Sequence, residues 1–234
     1  MSRTAAPAPR NRSKRQGETF RRVDRMVQRS GSQAFRGAAV SATRAKIGEA
    51  AAPGTAMTQK RVYLAGPDVF FPDPEQWAAR KKEICARHGL TGVSPLDDHP
   101  GEPAEWAALP FWRQIALRNE AHIRSCQILI ANLTPFRGPS ADPGTVYEIG
   151  FARALGLAIH AYATTAMPFF PRTLAALGLP GTATHDRHGL SIEQFGLFDN
   201  LMIENAIDGP PIVGEADRWT DLTLFERCAA AAAA

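Results

Sequence analysis

From Lys60 onward the chain alternates short apolar runs with segments of helical spacing, and that alternation restricts it to a parallel sheet with helices on both faces. Residues 61–66 (RVYLAG) read as a first strand stopped by Gly66-Pro67. Residues 73–88 open with an Asp cap and a proline at the first helical position, then set Trp77, Arg80/Lys81, Ile84 and His88 at helical intervals. A short strand follows at 90–94, a loop rich in Pro, Gly and Asp at 95–108, a helix at 109–125 and a buried strand at 126–133. Residues 145–155 form a helix ended by Gly156, and 157–162 another strand. In a sheet of this kind ligands bind beyond the carboxyl ends of the strands. The alanine run at 229–234 reads as a frayed helix end.

The first 56 residues lack this pattern. They are rich in Arg, Ala, Ser and Gly, their only aromatics are Phe20 and Phe35, and they cannot bury enough apolar surface to fold, so a disordered basic segment is expected ahead of a domain at 57–234. Twelve basic residues stand against three acidic ones in 1–56, and fifteen against twenty in 57–234, so the net charge of +4 belongs to the tail. The mildly acidic remainder argues against a groove for a nucleic-acid backbone. The tail is a translated leader ahead of a start at Met57, an Arg-rich targeting peptide, or a basic arm that touches nucleic acid. No run of eighteen apolar residues is present to cross a membrane. Cys85, Cys126 and Cys228 are odd in number and far apart, which fits neither a disulfide framework nor a cysteine zinc site and points to a reducing cytoplasm.

The segment after the third strand, NLTPFRGPSADPGTVYEIG at 132–150, holds two acids and the start of a helix. Asp142 and Glu148, if both helical, would stand about 240° apart round the axis, so Asp142 must lie in the loop or cap for the two to converge. Thr145 and Glu148 have capping-box spacing, in which Glu148 would reach back to the backbone of Thr145. Against that, Phe151, Ala152 and Leu155 place Glu148 on the apolar stripe of its helix. Desolvation there raises the pKa of a carboxyl and a helix N-terminus lowers it, which would leave an ionised, poorly hydrated nucleophile. Asn119 interrupts a stripe of Trp112, Ile115 and Ile123 expected to face the core, and is either a structural bridge or aimed at a ligand. Phe70 and Phe71 either belong to the core or stack on a planar base. His185 and His188 lack a third metal ligand and read as loop residues. No phosphate loop and no G-x-G-x-x-G is present, which disfavours nucleoside triphosphates and NAD.

YLAGPDVFFPDP at 63–74, IANLTPFRG at 130–138, D-x-G-T-x-x-E-x-G from Asp142 to Gly150, and FGLFDNLM at 195–202 together resemble the nucleoside 2-deoxyribosyltransferase family. The resemblance spans about residues 60–228. It implies an α/β, flavodoxin-like three-layer sandwich with a central, mostly parallel five-stranded sheet. It also implies exchange or hydrolysis of the base of a 2′-deoxynucleoside through a covalent deoxyribosyl-enzyme, with no metal or organic cofactor. By motif, Glu148 matches the nucleophile, Asp142 an acid that holds the sugar hydroxyls, and Tyr63 the tyrosine that positions the nucleophile. Gly66, Phe70, Asn119, Arg137 and Gly144 fall at the expected substrate site. Asn200 and Met202 match residues that reach into a neighbouring subunit's site, the amide binding the 5′-hydroxyl end, which implies a homo-oligomer.

Asn119 stands where many members carry an aspartate, and an amide can hydrogen-bond a base but cannot be its general acid. Gln127 likewise replaces an aspartate usual at the start of the third strand. The expected partners are deoxynucleosides and free nucleobases, and a nucleic acid only through the tail. Two alternatives stay open. One is an N-glycoside hydrolase of deoxynucleosides or nucleoside 5′-monophosphates, for which Arg137 is the visible cation; the other is a nucleotide-sensing module without turnover.

Overall fold

The computed structural model describes residues 59–99, 101–215 and 221–234; the expectations for the tail at 1–56 lie outside them. Five strands, β1 (Arg61–Ala65), β2 (Thr91–Val93), β3 (Ile128–Asn132), β4 (Ala158–Ala163) and β5 (Ile212–Val213), form one sheet in the order β2-β1-β3-β4-β5. Every pairing is parallel, so the mostly parallel sheet expected from the family is parallel throughout. The helices are α1 (Pro74–Arg87), α2 (Phe111–Arg124), α3 (Pro143–Leu155), α4 (Phe169–Leu177), α5 (Leu201–Ala206) and α6 (Thr223–Ala233). Single 3-10 turns at Pro67–Phe70 and Ala104–Ala108 interrupt the loops after β1 and β2.

Alternation along β1 sorts the core into two layers. Val62 and Leu64 join Ile84 and Cys85 of α1 and Phe225 and Cys228 of α6. Tyr63 and Ala65 join Ile123 of α2, Ile149 and Ala152 of α3, and Ile203 of α5 on the opposite face. β1 and β3 are buried along almost their whole length, as expected of central strands covered on both sides. The strand order reverses direction between β1 and β3, and the crevice at that switch point is where a doubly wound sheet accepts a ligand.

Two expectations are corrected. The terminal alanines are not frayed: α6 continues to Ala233, and Ala229 and Ala232 are buried against the sheet, one and two turns beyond Phe225. The stripe of α2 faces the core only in its second half. Ile123 is fully buried, while Trp112 is 68% and Ile115 39% exposed. The three cysteines are free and buried, and burial pushes their thiols up, so they are inert filling rather than reactive groups. Among the described residues no helix is long and apolar enough to cross a membrane.

Candidate active site

Tyr63, in the middle of β1, is wholly buried and turned toward α3, where its hydroxyl donates to Glu148 Oε1 at 2.6 Å. Burial and the neighbouring carboxylate push the phenol well above its ordinary pKa, so it stays protonated and acts as a donor. Burial likewise pushes the Glu148 carboxyl up to about 7; the Tyr63 hydrogen bond opposes the rise and the charge of Asp142 adds to it. Desolvation is the largest of the effects on Glu148, which is therefore poised between its carboxyl and carboxylate forms near neutral pH. Among the described residues no donor reaches its second oxygen.

The capping-box expectation for Glu148 is overturned. α3 starts at Pro143, two residues earlier than expected, with Asp142 as its cap. Asp142 Oδ2 accepts from the Thr145 backbone N–H at 3.0 Å and from the Thr145 hydroxyl at 3.3 Å. An Asp cap followed by proline at the first helical position outcompetes Thr145, and the Asp-Pro pair was the signal for it. Glu148 is thereby released from its own backbone, and Asp142, ahead of the helix, is close enough for its charge to act on it.

Both glycines of the expected site have a local reason. A Cβ on Gly144 would stand 2.9 Å from Asp142 Oδ2, and one on Gly66 2.9 Å from the Asn132 side chain, where the ends of β1 and β3 meet. Phe70 is 54% exposed and stacks on Phe136 with centroids 5.3 Å apart and planes at 14°. The Arg137 guanidinium lies 5.0 Å from the Phe70 ring and 4.6 Å from Phe136, its residue held at φ 55. These three therefore form one cation-aromatic stack, carried by the loops at the carboxyl ends of β1 and β3. Asn119 presents a buried side-chain oxygen with no hydrogen-bond partner, a cost of about 1–3 kcal/mol that a bound donor would recover.

Asn200 and Met202 are not brought to Glu148 within one chain. Asn200 caps α5, its Oδ1 accepting from the Met202 N–H at 3.0 Å and its Nδ2 donating to both Glu193 oxygens at 2.8 and 2.9 Å. With Pro143, Val146 and Gly150 of α3 they line an apolar cavity of about 650 Å³. Glu148 is about 200° round the helix from Val146, so this groove lies on the far side of α3 from it. His185 and His188 are exposed, as expected. Sequence reasoning missed the buried ion pair of Arg172 and Asp199, which holds together the loop before α3 and the cap of α5.

The family model for nucleoside 2-deoxyribosyltransferase matches residues 62–202, well over half of the chain. The chain belongs to this family. A 2-deoxyribosyltransferase from Leishmania mexicana is 29% identical, with a TM-score of 0.53 over 74% of this chain and 97% of that one. An uncharacterized protein of Schizosaccharomyces pombe is 35% identical over 162 residues, 62% of this chain and 76% of its own. The nucleoside 2-deoxyribosyltransferase family is one of enzymes acting on deoxynucleosides and nucleobases, and the matched span contains Tyr63, Asn119, Asp142, Glu148, Asn200 and Met202.

Proposed function

We propose that residues 57–234 transfer the 2-deoxyribosyl group of a 2′-deoxynucleoside between nucleobases by a retaining double displacement. The observation that carries this reading is the buried Tyr63–Glu148 pair beneath Asp142 at the start of α3. A carboxylate stripped of water and held by one donor is a stronger nucleophile than one in solution. One Glu148 oxygen bonds to the anomeric carbon as the bond from that carbon to the base nitrogen breaks, and the base leaves with a proton. A second base then attacks from the vacated side, gives up its ring N–H proton to the group or water that protonated the first, and releases Glu148, so two inversions retain configuration. Tyr63 orients the carboxyl, Asp142 holds the sugar hydroxyls, and Phe70 with Arg137 flanks the base. Asn119 hydrogen-bonds the base without protonating it, so that proton comes from another group or from water. The scheme calls for neither a metal nor an organic cofactor.

The deciding assay mixes a deoxynucleoside with a different free base and separates the products by chromatography. The exchanged deoxynucleoside is expected, at the same rate from the full chain and from one begun at Met57. Free deoxyribose with no exchange would instead mean a hydrolase, and binding with neither product a sensor.

The enzyme is proposed to be a homo-oligomer in which Asn200 and Met202 complete a neighbour's site. Met202 is 67% exposed at an apolar groove, and that groove faces away from its own Glu148, which supports the reading. Met202→Asp is expected to weaken association at least about tenfold and to lower exchange with it, measured by light scattering across a concentration series. A variant that keeps the wild-type mass at every concentration would defeat this assembly.

A further inference from the structure

We propose that Asp199, clamped by Arg172, is the positioning residue that sets Asp142 over Glu148; the inference rests on the roles just assigned to those two acids. Asp199 is 1% exposed, yet four donors converge on its carboxylate. Oδ2 accepts from Arg172 Nη2 at 3.2 Å and from the Ala141 N–H at 3.2 Å; Oδ1 accepts from the Ser140 hydroxyl at 2.5 Å and from the Asn200 N–H at 2.8 Å. Ser140 and Ala141 are the two residues immediately ahead of Asp142, and Asn200 is the cap of α5. One side chain therefore ties the segment that carries Asp142 to the segment that carries Asn200 and Met202.

Arg172 makes the tie rigid. Its Nε donates to the Pro139 carbonyl at 2.7 Å, its Nη1 to the Met167 carbonyl at 2.7 Å, and its guanidinium lies 4.4 Å from the Phe198 ring. The planar fork thus fixes the loop at Pro139 and the carboxylate that fixes it at Ser140 and Ala141. Every partner of the Asp199 carboxylate is a donor, so only a side chain with two accepting oxygens satisfies them all. Asparagine would turn an amide N–H₂ against donors at one of its two ends. Nothing in this network touches Glu148 directly; it acts through the placement of Asp142, whose charge helps to hold the Glu148 carboxyl up.

The test compares Asp199→Asn and Ser140→Ala with wild type in base exchange and in the titration of the Glu148 carboxyl, followed by carbon NMR of labelled protein. Misplacement by about 1 Å costs on the order of 100-fold, so Asp199→Asn is expected to lose about 100-fold in kcat/KM and Ser140→Ala a smaller factor. In both, the Glu148 titration moves to lower pH as Asp142 drifts away. A merely destabilising change lowers the amount of active protein and leaves that midpoint in place. Unchanged kcat/KM and an unchanged midpoint in folded Asp199→Asn would overturn the proposal; if that variant does not fold, the same result in Ser140→Ala does so. A wild type that exchanges nothing would defeat the assigned reaction instead, while the titration still decides the role of Asp199.

Discussion

Glu148→Gln is expected to lose base exchange by about 10³-fold or more while making the protein more stable at pH 8. The loss follows from the amide's inability to bond to the anomeric carbon and later leave. The gain follows from burial. The free carboxyl titrates at 4.5 and the folded one at about 7, so folding at alkaline pH strips water from a charge that the unfolded chain keeps hydrated. For an acid whose folded pKa is raised, the penalty is absent below the unfolded value, grows between the two, and is complete above the folded one. The span between those values corresponds to about 3 kcal/mol. Glutamine carries no such penalty and can still accept from the Tyr63 hydroxyl. Urea unfolding of both proteins should therefore agree near pH 4 and separate by up to that amount at pH 8. Equal stability at both pH values would mean that Glu148 is well hydrated, and retained exchange would mean that it forms no bond to the sugar.

The parts of this protein that were legible in the sequence are those written in local periodicity. The strands carrying Tyr63 and Asn132 and the helix carrying Glu148 could be read because each is long enough to show its repeat. β5 could not: Ile212–Val213 is two residues, and it is a strand only because it pairs beside Tyr162 and Ala163. Periodicity also cannot tell a face that packs inward from one that waits for something else, which is why Trp112 and Ile115 were expected in the core and are exposed. The cap of α3 was misread for a competitive reason. Two local motifs, Asp142-Pro143 and the Thr145–Glu148 box, wanted the same helix start, and the proline decided it. Asp199 falls inside the FGLFDNLM run, but nothing local marked it and Arg172 as an ion pair. They sit 27 residues apart, each a lone charge in an apolar stretch (FFPRTLAAL at 169–177 and FGLFDNLMI at 195–203), and their pairing comes from the tertiary fold that brings those stretches together.

The pH dependence of exchange should expose the forces acting on Glu148 one at a time. Because the carboxylate is the attacking form, kcat/KM is expected to rise through about pH 7, lying about 100-fold below its plateau at pH 5. Asp142→Asn keeps a good helix cap, since asparagine accepts from the Thr145 N–H as aspartate does, but it removes a negative charge that resists ionisation of Glu148. Its limb moves to lower pH. Tyr63→Phe removes the donor that stabilises the carboxylate, and its limb moves to higher pH. The two shifts have opposite signs although both variants lose activity, which separates an effect on Glu148 from general damage to the site. Shifts of the same sign, or none, would mean that the group titrating in the profile is not Glu148 and that the nucleophile has to be sought elsewhere.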